Sequence, residues 1–311
     1  MKTSEMTVLV SEVGPRDGLQ SITRTMSTQD KCRWISALHA AGLREIEVGS
    51  FVPPALLPQM ADVREVVRHA LGLPGLQVAA LVPNLRGAQA AFEAGVHKIT
   101  VPVSVTEEHS LANVRKTREQ VLQELTSIMQ LRHERYPGVV VEAGMSVAFG
   151  CTLAGQVPEA ETLSMCERAA TAGVDEVGLS DTSGYAQPRQ VLRLFRALQS
   201  ALGNRAGGAH FHNTRGQGLA NVVAALDAGV TTFDASQGGL GGCPYAPGAS
   251  GNIVTEDLVF LLESMGHDTG VDLQQMAAAR ACLEQGLVGE PLYGMVPQAG
   301  LPMGFRYARE P

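Results

Sequence analysis

No long basic run interrupts this 311-residue sequence: lysine and arginine cluster no further than short runs such as Arg115-Lys116, and the formal net charge is -7. An acidic chain without a basic patch has no electrostatic footprint for a phosphate backbone, so no nucleic acid partner is expected. A small anionic substrate would instead need locally placed cations or a metal. Long apolar runs are missing too. Residues 1–7 carry Lys2 and Glu5 and lead into no extended hydrophobic stretch, so neither a signal peptide nor a membrane span is expected, and cytoplasmic residence follows. Cysteine is sparse: Cys32, Cys151, Cys166, Cys243 and Cys282 are odd in number and form no C-x-x-C, which argues against a disulfide framework and a thiolate zinc site. A Pro-, Ser- or charge-rich linker is absent as well, the one plausible break being Tyr136-Pro137-Gly138.

What remains is the balance of a compact enzyme, 45% hydrophobic and 18% charged with 34 glycines. Strand-length apolar runs fall at residues 7–13, 45–48, 76–82, 98–103, 139–147, 174–179, 209–212 and 230–235, separated by longer amphipathic stretches. Eight such runs in a βα rhythm predict an α/β fold, a (β/α)8 TIM barrel. Ala41-Gly42-Leu43, Ala94-Gly95-Val96, Ala172-Gly173-Val174 and Ala228-Gly229-Val230 each close a helix and open a strand, glycine taking the position just past the helix end. These glycines stand 53, 78 and 56 residues apart, two βα units per gap, with one long helix over about 111–134 stretching the middle one. A single catalytic domain spanning 1–311 is expected, with the barrel over about 6–266 and short extra helices in an appended segment, 267–311.

In such a barrel chemistry sits at the C-terminal ends of the strands. After the first strand, Glu12-Val13-Gly14-Pro15-Arg16-Asp17-Gly18 holds Arg16 and Asp17 in a Gly/Pro turn that suits backbone positioning rather than a helix. On its own this motif reads equally as a surface turn with a loose ion pair. His210-Phe211-His212 puts two imidazoles on one strand face, which suits a divalent metal with oxygen co-ligands or a pair of hydrogen-bonded core histidines. Inward-facing imidazoles need an anion or a metal beside them, which favours the metal. Between Gly238 and Gly251 lie six glycines and one cysteine, Cys243, a composition that reads as a lid carrying a reactive side chain or as a connecting loop. No Walker lysine accompanies it. Glu47 and Asp181 end up at the rim of their strands, as orienting carboxylates before proton carriers.

Together these segments resemble the 3-hydroxy-3-methylglutaryl-CoA lyase family, within the metal-dependent lyase and Claisen-condensing barrels. The likeness spans nearly the whole chain and rests on residues 12–20 (EVGPRDGLQ), Ser50-Phe51-Val52 with Pro58-Gln59-Met60, Val82-Pro83-Asn84-Leu85, Asp181-Thr182, residues 210–214, and residues 239–258. The resemblance implies a divalent metal, Mg2+ or Mn2+, held by Asp17, His210, His212 and Asn252. It implies catalytic roles for Arg16 at the enolate and Cys243 in proton transfer, with Glu47 orienting and Asp181 assisting. It implies an acyl-CoA thioester as substrate, with Gln20, Ser50 and Asn84 in its binding site, and a homodimer; Arg215, a cation near the metal strand, is a further expected substrate-binding residue, suited to a substrate carboxylate. Departures from the lyase pattern surround the substrate: Asn213-Thr214-Arg215 in place of Asp-Thr-Tyr, Ser180 for Gly, Ser183 for Ile, Pro53-Pro54-Ala55 for Ser-Pro-Lys, and no Phe-rich form over 104–113. The retro-Claisen chemistry is thus expected, on this acyl group or on a citramalyl-like or longer branched one. A condensing synthase is disfavoured because Gly241-Gly242-Cys243-Pro244 stands where synthases carry Gly-Glu-Arg-Ala-Gly-Asn. A non-catalytic barrel is disfavoured because no ligand is lost.

Overall fold

Alternation between core-facing and axis-facing residues writes eight strands into the chain, and every one lies parallel to its neighbours. The computed structural model describes residues 8–241 and 251–310. The strands β1 (Leu9–Glu12), β2 (Glu45–Ser50), β3 (Gln77–Leu81), β4 (Lys98–Ser104), β5 (Val140–Ser146), β6 (Glu176–Asp181), β7 (Ala206–Phe211) and β8 (Thr232–Ala235) pair in sequence order, and β8 pairs back to β1 to close a (β/α)8 barrel. Parallel neighbours require crossovers. These are α1 (Thr28–Ala40), α2 (Val63–Leu71), α3 (Leu85–Ala94), α4 (Glu107–Val114) with α5 (Arg118–Arg135), α6 (Glu159–Thr171), α7 (Pro188–Leu202) and α8 (Gly218–Asp227). After the last strand come α9 (Thr255–Ser264), α10 (Leu273–Gly286) and α11 (Met295–Ala299), α10 packing on α1. The short extra helices expected after the last strand are there.

In β4, Ile99, Val101 and Val103 are buried against the helices, while Lys98, Thr100 and Ser104 face the axis. The same parity puts Phe211 and Phe233 outward, fully buried with Trp34 and Phe195, and burying each such ring stabilises the fold by roughly 1.5–3 kcal/mol. On the axis, Lys98 Nζ lies 2.9 Å from Glu142, 3.1 Å from Glu176 and 3.6 Å from Glu45, so an ion network closes the floor. Gly42, Gly95, Gly173 and Gly229 all sit at positive φ, between 87° and 106°, the left-handed step that ends a helix cheaply only with glycine.

Two expectations are corrected. The single helix over 111–134 is two helices, because Arg115 turns left-handed at φ 57° and Thr117 restarts the chain with a reciprocal cap to Gln120. The seventh strand begins three residues early, at Ala206, through two glycines that periodicity cannot read: a Cβ on Gly207 would meet Val177 backbone at 3.1 Å.

One buried base makes the fold sensitive to acid. His109, in the first turn of α4, bonds through Nδ1 to Ser104 Oγ at 2.8 Å, and burial lowers its pKa from 6.5 to about 4. A base depressed on folding contributes stability that is present above pH 6.5 and is lost as pH falls towards 4. We expect roughly 3 kcal/mol to vanish across that window from this group alone. In thermal melts His109→Asn should flatten that part of the acid limb, whereas parallel limbs for the two proteins would show that His109 contributes nothing to it.

Candidate active site

The chain leaving β1 is forced into one wide helical turn. The Val13 carbonyl accepts from the N–H groups of Arg16 at 3.1 Å, Asp17 at 2.7 Å and Gly18 at 3.4 Å, the last closing a π-helical ring over Gly14–Gly18. This corrects the non-helical Gly/Pro turn expected for the segment. Pro15 fits the second position because the N–H it lacks would have no partner in the first turn anyway. Gly14 is required by space, since a Cβ would meet Glu12 Oε1 at 2.6 Å and Trp34 at 2.9 Å. Glu12 anchors the turn from behind: its Oε1 accepts from Gly14 N at 2.8 Å and Gln237 N at 3.0 Å, and its Oε2 from Thr255 Oγ1 at 2.7 Å. Burial pushes this carboxyl up to about 8. The turn displays Arg16 and Asp17 side by side and buried, so they are no loose surface pair.

Glu47 is not at the rim but inside the barrel, buried, where it accepts from Arg16 Nε. Arg16 Nη1 also donates to Asp17 Oδ1 at 2.5 Å. Burial opposes charge on Arg16, yet the carboxylates of Glu47 and Asp17 outweigh it and raise its pKa, so the guanidinium keeps its charge and a fixed orientation.

Opposite the turn, β7 supplies the imidazoles. His210 Nδ1 lies 3.0 Å from Asp234 Oδ2, His210 Nε2 faces His212 Nε2 at 3.1 Å, and His212 Nε2 is 4.0 Å from Asp17 Oδ2. One ligand atom from each of Asp17, His210 and His212 lies within 4.8 Å of the others. Asn252 joins them across a bridge to His212, donating through Nδ2 to Asp17 Oδ2 at 2.7 Å. The close approach depends on Gly241 at φ 110°, where a Cβ would strike Asn252 Nδ2 at 2.5 Å.

The donor chemistry fits a divalent cation. Asp234 Oδ2 accepts from His210 Nδ1, which in the neutral imidazole leaves Nε2, turned towards His212, as the ligating nitrogen, and among the described residues Asn252 Oδ1 is buried with no partner. Burial raises the pKa of Asp17, but Arg16 and the two imidazoles outweigh it and hold this carboxyl at about 2, ready as an anionic ligand. Burial and the neighbouring His210 push His212 down to about 4, which keeps it neutral. For His210 burial is outweighed by Asp234, and its pKa is raised. One carboxylate, two imidazoles and an amide oxygen make a borderline-hard site.

A family model described as HMGL-like matches residues 7–283. The chain belongs to the HMGL-like family. It is 40% identical over 285 residues to a hydroxymethylglutaryl-CoA lyase of Bacillus subtilis, covering 92% of this chain and 94% of the relative. It is 39% identical over 277 residues to a 3-hydroxy-3-isohexenylglutaryl-CoA/hydroxymethylglutaryl-CoA lyase of Pseudomonas aeruginosa, covering 88% and 92%. Among solved structures, an HMG-CoA lyase from A. baumannii in complex with coenzyme A and 3-methylmalate superposes with a TM-score of 0.91 at 36% identity, covering 98% of this chain and 99% of that one.

Several expected site residues of this HMGL-like chain lie around the cluster with other partners. Gln20 Nε2 donates to Asp17 Oδ1 at 3.1 Å, and Ser50 ends β2 fully buried with no partner for its hydroxyl among the described residues. Asn84 caps α3, its side chain accepting from Gly87 N at 2.8 Å. Arg215 donates to the carbonyl of Gly184 at 2.8 Å and lies 4.9 Å over the Tyr185 ring, so it braces the loop after β6 rather than the metal cluster. Asp181 ends β6 at the rim, as expected, but is buried there; it accepts through Oδ1 from Tyr185 N at 2.8 Å and Ala186 N at 3.0 Å, while among the described residues its Oδ2 has no partner. Burial raises its pKa to about 6. Cys243 lies outside the described residues.

Two members of the site escaped the sequence reading. Asp234 orients His210, and its only advance signal was parity, an acid alternating with Thr232 on a strand otherwise read as core. Gln237 accepts from Trp34 Nε1 at 2.7 Å and donates to the Met276 carbonyl at 2.9 Å, tying the segment after β8 to α1 and α10.

Proposed function

We propose that this chain is a divalent-metal-dependent lyase that cleaves 3-hydroxy-3-methylglutaryl-CoA, or a closely related 3-hydroxyacyl-CoA, to acetyl-CoA and a keto acid such as acetoacetate. The observation that carries the reading is the convergence of Asp17, His210 and His212 within 4.8 Å, with the charged, doubly held Arg16 beside them. Asp17, His210, His212 and Asn252 would hold Mg2+ or Mn2+. When bound, such a cation makes the 3-hydroxyl of the substrate more acidic.

The remaining work falls to side chains. As the hydroxyl proton leaves, the bond between C2 and C3 breaks and its electrons pass towards the thioester, whose oxygen becomes an enolate. The Arg16 guanidinium, pre-oriented by Glu47, meets that developing charge without reorganising. Asp181 receives protons in the relay, supported by a raised pKa close to working pH. Cys243 returns a proton to C2, releasing acetyl-CoA. Gln20, Ser50, Asn84 and Arg215 contact the thioester. Cys243→Ala should therefore cut turnover severely with metal uptake near normal, and unchanged turnover would remove the cysteine from the reaction.

A second reading, the same cleavage on another acyl group, is favoured by Arg215 bonding to its loop rather than facing the cluster. A homodimer in the cytoplasm is part of the proposal. The free thiols among the described cysteines suit that reducing compartment. The test is a panel of 3-hydroxyacyl-CoA thioesters incubated with Mg2+ or Mn2+, with acetyl-CoA release followed by mass spectrometry. Release from the methylglutaryl compound supports the first reading, release from another member alone supports the second, and no release from any member rejects both.

A further inference from the structure

Four axis-facing residues stand in register across four adjoining strands at the C-terminal end of the barrel. Ser104 of β4 pairs with Ser146 of β5, and Ser180 of β6 pairs with His210 of β7. The β5–β6 register, Met145 against Leu179, brings Ser146 beside Ser180. Residues paired across parallel strands point to the same side of the sheet, and His210 points at the metal cluster, so the three hydroxyls face the same mouth. Ser104 is tied to the buried His109 at 2.8 Å. Ser146 and Ser180 are only partly buried, and among the described residues neither side chain has a recorded partner. Their strand positions need no hydroxyl, since the ladder satisfies the backbone.

We propose that Ser146 and Ser180 select the acyl group, favouring a compact thioester over one with a long apolar branch. The proposal rests on the lyase reading. A short acyl group leaves these hydroxyls to its own oxygen atoms or to water. A long hydrocarbon branch lying across the row strips that water and returns no hydrogen bond, so each covered hydroxyl counts against it. Ser180 stands where the lyase pattern has glycine, which makes the row longer by one group next to His210. The P. aeruginosa relative is named for both an isohexenyl and a methyl substrate. This chain should part from that breadth.

The experiment measures kcat/KM for 3-hydroxy-3-methylglutaryl-CoA and 3-hydroxy-3-isohexenylglutaryl-CoA with the full chain in Mn2+, for the native protein, Ser146→Ala and Ser180→Gly. We expect the native protein to favour the methyl compound by at least roughly 30-fold. Each variant should narrow the gap by about 3- to 10-fold, chiefly through a lower KM for the isohexenyl compound. Equal rates on both compounds in the native protein would overturn the proposal while leaving the lyase reading intact. So would variants that shift both compounds by the same factor, the pattern of a structural effect or of contacts to the coenzyme A arm. Cleavage of neither compound would sink the lyase reading and this proposal together.

Discussion

Arg16→Lys should lower kcat by roughly 100-fold or more while the protein stays folded and keeps its metal. The guanidinium is held at two points, Nε on Glu47 and Nη1 on Asp17, and among the described residues no other bond engages its remaining N–H groups, which can meet a developing oxyanion. A lysine ammonium keeps the positive charge that the buried carboxylates require, so the cost of an uncompensated buried anion is avoided. It cannot span both carboxylates and present a fixed donor to a third oxygen. The loss should therefore fall on kcat, with KM changing by a smaller factor, as for an interaction made mainly in the transition state. Steady-state kinetics beside a melting curve and metal analysis checks this. A lysine variant with native kcat would remove Arg16 from the chemistry.

The second large effect is expected at His212. His212→Ala deletes one of two facing imidazoles and leaves Asp17, His210 and Asn252, so bound divalent metal should fall from one per chain to near none at micromolar supply, with turnover lost alongside. Asp234→Asn makes a graded comparison. It keeps the shape of the side chain but removes the carboxylate that fixes the His210 tautomer, and a loss of about 10- to 100-fold in metal affinity is expected. Supplying excess Mn2+ should restore Asp234→Asn and not His212→Ala. Full metal occupancy in His212→Ala, measured by plasma emission on the desalted protein, would contradict the ligand assignment.

Much of this was legible in the residues because barrel physics leaves local marks. Four glycines at helix ends announce the turn into a strand, and they occupy positive φ as the chemistry of an achiral residue demands. The pair His210 and His212 is legible for the same kind of reason: side chains two apart on a strand share a face. What was not legible depends on partners distant in sequence. The π-helical turn at Gly14–Gly18 is held by Glu12 only because Gln237 and Thr255 arrive from the far end of the chain. Glu47 reads as a rim carboxylate until Arg16 is seen to reach into the barrel for it. Asp234 is an isolated acid in an apolar strand until the register of β7 against β8 sets it beside His210.

The central claim is that Asp17, His210, His212 and Asn252 hold one divalent cation on which carbon–carbon cleavage of a 3-hydroxyacyl-CoA depends. Its most direct test is acetyl-CoA release from 3-hydroxy-3-methylglutaryl-CoA by chelator-stripped protein, titrated with Mn2+. The account predicts no release without metal and full recovery at one equivalent per chain. Release that persists after stripping, or stripped protein that takes up one equivalent and still cleaves nothing, would contradict it.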